Sequence, residues 1–216
     1  MPLVHQALHY ACISGNLECL KHAFACVQHS HSVHNNTWDV DDFCDIIVGG
    51  NVECIEFAFA VDCSIDPAQA ARTAAQCGKL QVIECLIAHN VLFRNTAAFA
   101  AQNGHLEVLQ CLRNQDNSWG DVKIAQEAAR GGHLACLQYA HLNGCVWDES
   151  VTEAAAQHNK LDCLRYLHEQ GCPWNTQALR LAEYCNAQLC IDYLIEHGCP
   201  GDKEFSLKIQ GVYKIL

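Results

Sequence analysis

The stretch GGHLACLQYAHLNGCVWD, from Gly131 to Asp148, is followed by HNKLDCLRYLHEQGCPWN, from His158 to Asn175, and together they decide the fold. Both carry two cysteines, histidines and a tryptophan at matching places, which a metal site, a disulfide framework or a repeated core would each explain. Overlaying Leu134 on Leu161 gives a shift of 27 residues (161 − 134), and the same frame runs through the chain. Its anchors are Gly15, Gly50, Gly78, Gly104, Gly132, Asn159 and Asn186, with successive spacings of 35, 28, 26, 28, 27 and 27 residues. Self-similarity at so short a period is the mark of a solenoid built from about seven units.

Each unit reads as two helices. Before the anchor the chain is rich in alanine, as in IAQEAARGG (Ile124 to Gly132) and VTEAAAQHN (Val151 to Asn159); alanine favours helix and lets neighbouring helices approach. After the anchor, at 100° per residue, Leu161, Cys163, Leu164 and Leu167 share one side while Asp162, Arg165 and Glu169 share the other. EQGCPWN then supplies a helix stop at Gly171, a proline at Pro173 and an N-cap at Asn175, with Trp174 placed to staple back onto the new helix. No strand pattern of any strength occurs. The chain is expected to be one all-α domain over residues 1–216, with a partial terminal repeat or cap from about 201 that carries Leu207, Ile209, Val212, Ile215 and Leu216.

Composition narrows the partners. Half of the 216 residues are apolar, enough for a sizeable core, and the formal net charge of −11 repels phosphate. There is no basic stripe, no export signal and no apolar run long enough to cross a membrane. Nucleic acid and membrane are therefore not expected as partners, and a monomer in the cytoplasm is. Sixteen cysteines in such a chain are expected as free thiols.

AARGGHLACLQYAHLNGCVWD resembles the ankyrin repeat, with its paired alanines, Gly-His-Leu, leucine-rich second helix and Gly-Ala-Asp-Val-Asn turn. Cys145 and Trp147, like Cys172 and Trp174, stand where that family usually has alanine and valine. The Thr-Pro-Leu-His stretch is replaced by KIAQ (Lys123 to Gln126) and SVTE (Ser150 to Glu153). The unit is also shorter than the usual period of about 33 residues, so the β-hairpin fingers are expected to shrink to loops. Such short Cys- and Trp-bearing units are similar to those of giant DNA viruses and some amoebae, which would place the chain in a host cytoplasm.

The frame places most of the cysteines. Cys19, Cys54, Cys136, Cys163 and Cys190 take the fourth position after the anchor, on the side expected to be buried; Cys63, Cys145, Cys172 and Cys199 take the thirteenth, in the turn. Valine substitutes at Val82 and Val108, as packing allows and ligation does not. Equivalent residues of neighbouring helices lie about 8–10 Å apart, too far for a disulfide. The cluster QHSHSVHNN brings His29, His31 and His34 near Cys26 and His22, but no second Cys/His pair follows at a zinc-finger spacing. No metal and no cofactor are expected. His105 and His133 are read as structural, His141 and His168 as solvent-facing, and Trp38, Trp119, Trp147 and Trp174 as packing between repeats.

Phosphate loops, nucleophile elbows and His-Glu-x-x-His helices are absent from the sequence, so catalysis is not expected. The resemblance implies a protein-binding scaffold whose concave face is lined by the first helices. On that face the positions before each anchor give Gln76, Gln102, Asn103, Arg130, Gln157, His158 and Tyr184, flanked one turn earlier by Arg72, Gln126, Glu153 and Arg180. The partner is an unidentified protein, such as a host or cellular regulator. The alternative is the substrate-recognition subunit of a ubiquitin ligase, although no F-box-type segment is visible.

Overall fold

The computed structural model describes residues 2–29, 40–61, 66–115 and 119–200. The histidines His31 and His34, Trp38, Cys63 and the apolar tail from 201 lie outside these, and so does the side chain of His29. Fourteen helices and no strand occur among the described residues. The chain has the fold expected, all-α helix-turn-helix repeats of the solenoid type.

The pairs are α1 (Pro2–Ser14) with α2 (Leu17–His29), α3 (Val40–Gly49) with α4 (Val52–Ala60), and α5 (Pro67–Gln76) with α6 (Leu80–Ala88). They continue as α7 (Thr96–Gln102) with α8 (Leu106–Leu112), α9 (Val122–Gly131) with α10 (Leu134–Leu142), α11 (Glu149–Gln157) with α12 (Leu161–Glu169), and α13 (Thr176–Tyr184) with α14 (Gln188–Glu196). Two compact units result, residues 1–100 with 107–117 and residues 101–106 with 118–216. In the first, α1, α3 and α5 pack side by side, as do α2, α4 and α6; in the second, α9, α11 and α13 do so, as do α10, α12 and α14.

Every anchor lies between the two helices of a pair and has a left-handed backbone, from Gly15 (φ 64°) to Gly132 (φ 83°), Asn159 and Asn186 (both φ 54°). That conformation closes the first helix through a bond from the following residue: Lys79 N–H to Ala74 O (3.0 Å), His133 to Ala128 (3.0 Å), Lys160 to Ala155 (2.9 Å) and Ala187 to Ala182 (2.8 Å). The second helix ends the same way at Asn90, Gly144, Gly171 and Gly198, where the N–H groups of Cys145, Cys172 and Cys199 reach back to Ala140, Leu167 and Leu194. A turn cysteine therefore follows the left-handed residue, and its side chain is buried.

A second constraint separates glycine anchors from asparagine ones. A Cβ on Gly104 would lie 2.4 Å from His133, and one on Gly132 would lie 2.6 Å from Lys160, because the residue after each anchor covers the anchor of the preceding repeat. At Asn159 the corresponding residue is Ala187, too short to clash, and Asn159 Oδ1 instead accepts the Cys190 N–H at 3.2 Å.

First helices bury alanine: Ala70, Ala71, Ala74 and Ala75 in α5, Ala125, Ala128 and Ala129 in α9, and Ala154, Ala155 and Ala156 in α11. Second helices bury the larger side chains, Ile83 and Leu86 in α6, Leu137 in α10, and Cys163, Leu164 and Leu167 in α12. The caps are as expected, with Asn175 Oδ1 accepting the N–H groups of Gln177 and Ala178. Between Cys145 and Asp148 the finger is a bare loop, tied to the previous one by Val146 N–H to Gly120 O at 3.3 Å.

Three expectations are corrected. Cys19 is exposed, since α1 and α2 form the first described pair and no earlier one among the described residues covers it. His141 and His168 are half-buried rather than solvent-facing: their rings stack on Trp147 (3.6 Å) and Trp174 (4.1 Å), and each Nδ1 is hydrogen-bonded to the hydroxyl of Tyr166 (3.0 Å) or Tyr193 (2.9 Å) in the next repeat. Trp174 packs on the helix it leaves through the His168 stack. Trp147 also meets Tyr166 edge-on at 6.2 Å, and Trp119 Nε1 donates to Asn143 O at 3.1 Å, so both link adjacent repeats.

Candidate protein-binding face

The two positions preceding each anchor fall at the ends of the first helices, which the alanine contacts hold close and in register. In the second unit this brings Gln102, Arg130, Gln157 and Tyr184 to equivalent places on successive helices, with Asn103 and His158 beside them and Gln126, Glu153 and Arg180 one turn earlier. Arg72 and Gln76 occupy the same places on α5 in the first unit. Gln102, Gln126, Arg130, Glu153 and Gln157 are half-buried, while Arg72, Gln76, Asn103, His158, Arg180 and Tyr184 are exposed.

Several of these groups already have partners. The Arg130 guanidinium pairs with Glu127 at 3.3 Å, and Glu153 Oε1 accepts from Asn175 Nδ2 at 3.0 Å. His158 Nδ1 is bonded to Ala154 O at 3.0 Å, and the Arg72 guanidinium lies 5.1 Å from the centre of the Phe99 ring. Tyr184 is different: it is 84% exposed, a phenol ring standing off the face among half-buried amides.

Sequence reasoning passed over Glu127 and Glu183, acidic side chains on the same helices. Glu127 Oε2, Arg130 Nε and Glu183 Oε1 are buried with no hydrogen-bond partner, and burial pushes the Glu183 carboxyl up against the lowering effect of Arg180. The signal available was the spacing of Glu127 to Arg130, which puts opposite charges on one helix face.

Five buried thiols are held in the protonated form. Burial pushes Cys163, Cys172 and Cys190 up to about 12 and Cys136 and Cys199 to about 11, so all five are protonated at neutral pH. Their hydrogen atoms are used structurally: Cys172 Sγ donates to Asp148 O and Cys199 Sγ to Asn175 O, each at 3.4 Å, linking turn to turn. All described cysteines are free thiols, and no described helix is long and apolar enough to cross a membrane.

No family model and no curated protein sequence matches the chain. Among solved structures, the chain is similar to the human ASB11 ankyrin repeat domain, with 17% sequence identity and a TM-score of 0.54 over 89% of this chain and 84% of that one. Identity at this level speaks for the fold alone, which is that of ankyrin-like repeats.

Proposed function

We propose that the chain is a non-enzymatic protein-binding scaffold whose partner lies along the first helices, on the face that ankyrin-like stacks make concave. The observation that carries this reading is Tyr184, a large aromatic 84% exposed at the repeat position where Gln102, Arg130 and Gln157 present amide and guanidinium groups. Tyrosine and arginine dominate binding energy at protein interfaces, because one end packs and the other donates hydrogen bonds. An ankyrin-like fold supports the same reading. The likeness of the short units to viral and amoebal ankyrin proteins makes a host or cellular regulator in the cytoplasm the partner proposed.

Proximity labelling in the native cell tests the face. Tyr184→Ala and Arg130→Glu are expected to deplete the same proteins from the labelled set, whereas Leu142→Ala, a change at a side chain 80% exposed on the second helix α10, leaves the set intact. Identical sets from all variants would remove the first-helix face from consideration.

A further inference from the structure

In the first unit a thiol, an imidazole and a carboxylate from two successive repeats converge: Glu56 on α4, Cys85 on α6 and His89, which caps α6 at its C-terminus. Cys85 and His89 are four residues apart in sequence, so both project from one side of α6 toward the neighbouring α4. Glu56 bridges them, with Oε1 accepting from Cys85 Sγ at 3.3 Å and Oε2 bonded to His89 Nε2 at 2.9 Å. One ligand atom from each of the three lies within 4.8 Å of the others. Phe59, also on α4, stacks on the His89 ring at 3.9 Å and 8°, which fixes the plane in which Nε2 points.

We propose that Glu56, Cys85 and His89 form a binding site for a divalent transition-metal ion of the zinc type, held by three protein ligands with water completing the shell. The donor set is one thiolate, one imidazole and one carboxylate, the three ligand types that zinc takes, whereas magnesium and calcium call for oxygen alone. Zinc bonds of about 2.3 Å to sulfur and about 2.0–2.2 Å to nitrogen and oxygen set tetrahedral ligand atoms roughly 3.3–3.6 Å apart. One ligand atom from each residue already lies within 4.8 Å of the other two, and shifts of about an ångström, at Glu56 and His89 side chains that face solvent on one side, bring the set to that geometry. On binding, the Cys85 S–H bond breaks, a sulfur–metal bond forms and the proton leaves to buffer, with no change of oxidation state.

The next repeat supplies an internal contrast. Glu84 stands in the place of Glu56 and acts electrostatically on Cys111, which stands in the place of Cys85. Gln115 occupies the position of His89 there, so that step lacks the imidazole.

The test is a cobalt titration of the full reduced chain after chelator treatment, with zinc as competitor. Wild type is expected to bind one Co²⁺ with a thiolate-to-cobalt charge-transfer band that zinc abolishes. Cys85→Ser should remove the band. His89→Gln and Glu56→Gln should each weaken binding more than about tenfold, the scale that even outer partners of a metal site carry, and Cys111→Ser should change nothing. Zinc should raise the melting temperature of wild type but not that of His89→Gln. Because His89 and Glu56 are exposed, their variants keep the helical circular dichroism signal and report on binding even if Cys85→Ser unfolds. A band that survives Cys85→Ser, an affinity unchanged in His89→Gln, or a wild-type chain that gives no band, overturns the site.

Discussion

Glycine serves two separate purposes here, and single substitutions distinguish them. Gly131 precedes an anchor, inside α9, and needs no unusual backbone angle; a Cβ there would sit 2.3 Å from the carbonyl oxygen of Gln102. Gly144 has φ 89° with nothing within 4 Å of a Cβ. Gly144→Ala therefore meets only the left-handed penalty, about 1–2 kcal/mol. Gly131→Ala forces backbone apart from backbone and is expected to cost more, about 3 kcal/mol, at the upper end of overpacking effects. Chemical denaturation of the two variants checks the order; a larger loss for Gly144→Ala would mean that the first helices are not in such close contact. The left-handed anchors were legible in the sequence because only glycine or asparagine adopts that conformation cheaply, so the requirement leaves a mark on residue type. Glu56 with Cys85 and His89 was not legible: its members lie in different repeats, and although Glu84 and Cys111 repeat the carboxylate and the thiol one step on, Gln115 stands where the imidazole would be.

At the level of the helix, the link from α10 to α12 shows how a repeat holds its neighbour on the outer side. Trp147 lies flat on His141, and His141 bonds to Tyr166, so an imidazole is shielded between two aromatic groups. Burial pushes the His141 ring below its usual 6.5, and the same cause, aided by Lys160 and His105, lowers His133, which is bonded to the backbone of Gln102. Both are bases with a depressed folded-state pKa, so below about pH 6.5 the unfolded chain takes up protons that the folded chain resists. Their contribution to stability is complete above that pH and is lost as pH falls toward and through the lower folded values. Wild type should melt at a lower temperature at about pH 5.5 than at about pH 7.5, and His141→Phe, which keeps the ring stack, should narrow the difference. An unchanged difference in the variant would show that His141 does not titrate in a shielded site. The period revealed that His141 recurs as His168, yet their burial depended on the tryptophan of the same turn and the tyrosine of the next repeat, partners that an amphipathic helical wheel does not show.

At the scale of the molecule, the seven helix pairs among the described residues follow one frame, and the variation within it is explained by neighbours. The fourth position after the anchor is buried at Cys54, Cys136, Cys163 and Cys190 but exposed at Cys19, in the first described pair. The turn position is buried at Cys145, Cys172 and Cys199. The buried thiols of these columns pack as free cysteines, and those of Cys172, Cys190 and Cys199 donate hydrogen bonds to the preceding repeat. The polar column on the first helices was readable as a set of positions, whereas the ion pair of Arg130 and the bond from Asn175 to Glu153 arise from side-chain reach that the frame does not encode. Residue-resolved alkylation of the native chain, followed by mass spectrometry, tests the in-register stack most directly. Cys19, Cys26, Cys77 and Cys185 are expected to react quickly, and Cys54, Cys136, Cys163, Cys172, Cys190 and Cys199 only on unfolding, when all sixteen become modifiable without reductant. Fast modification of the buried columns, or thiols that stay blocked in denaturant until reduced, would contradict a stack whose repeats meet through buried free cysteines.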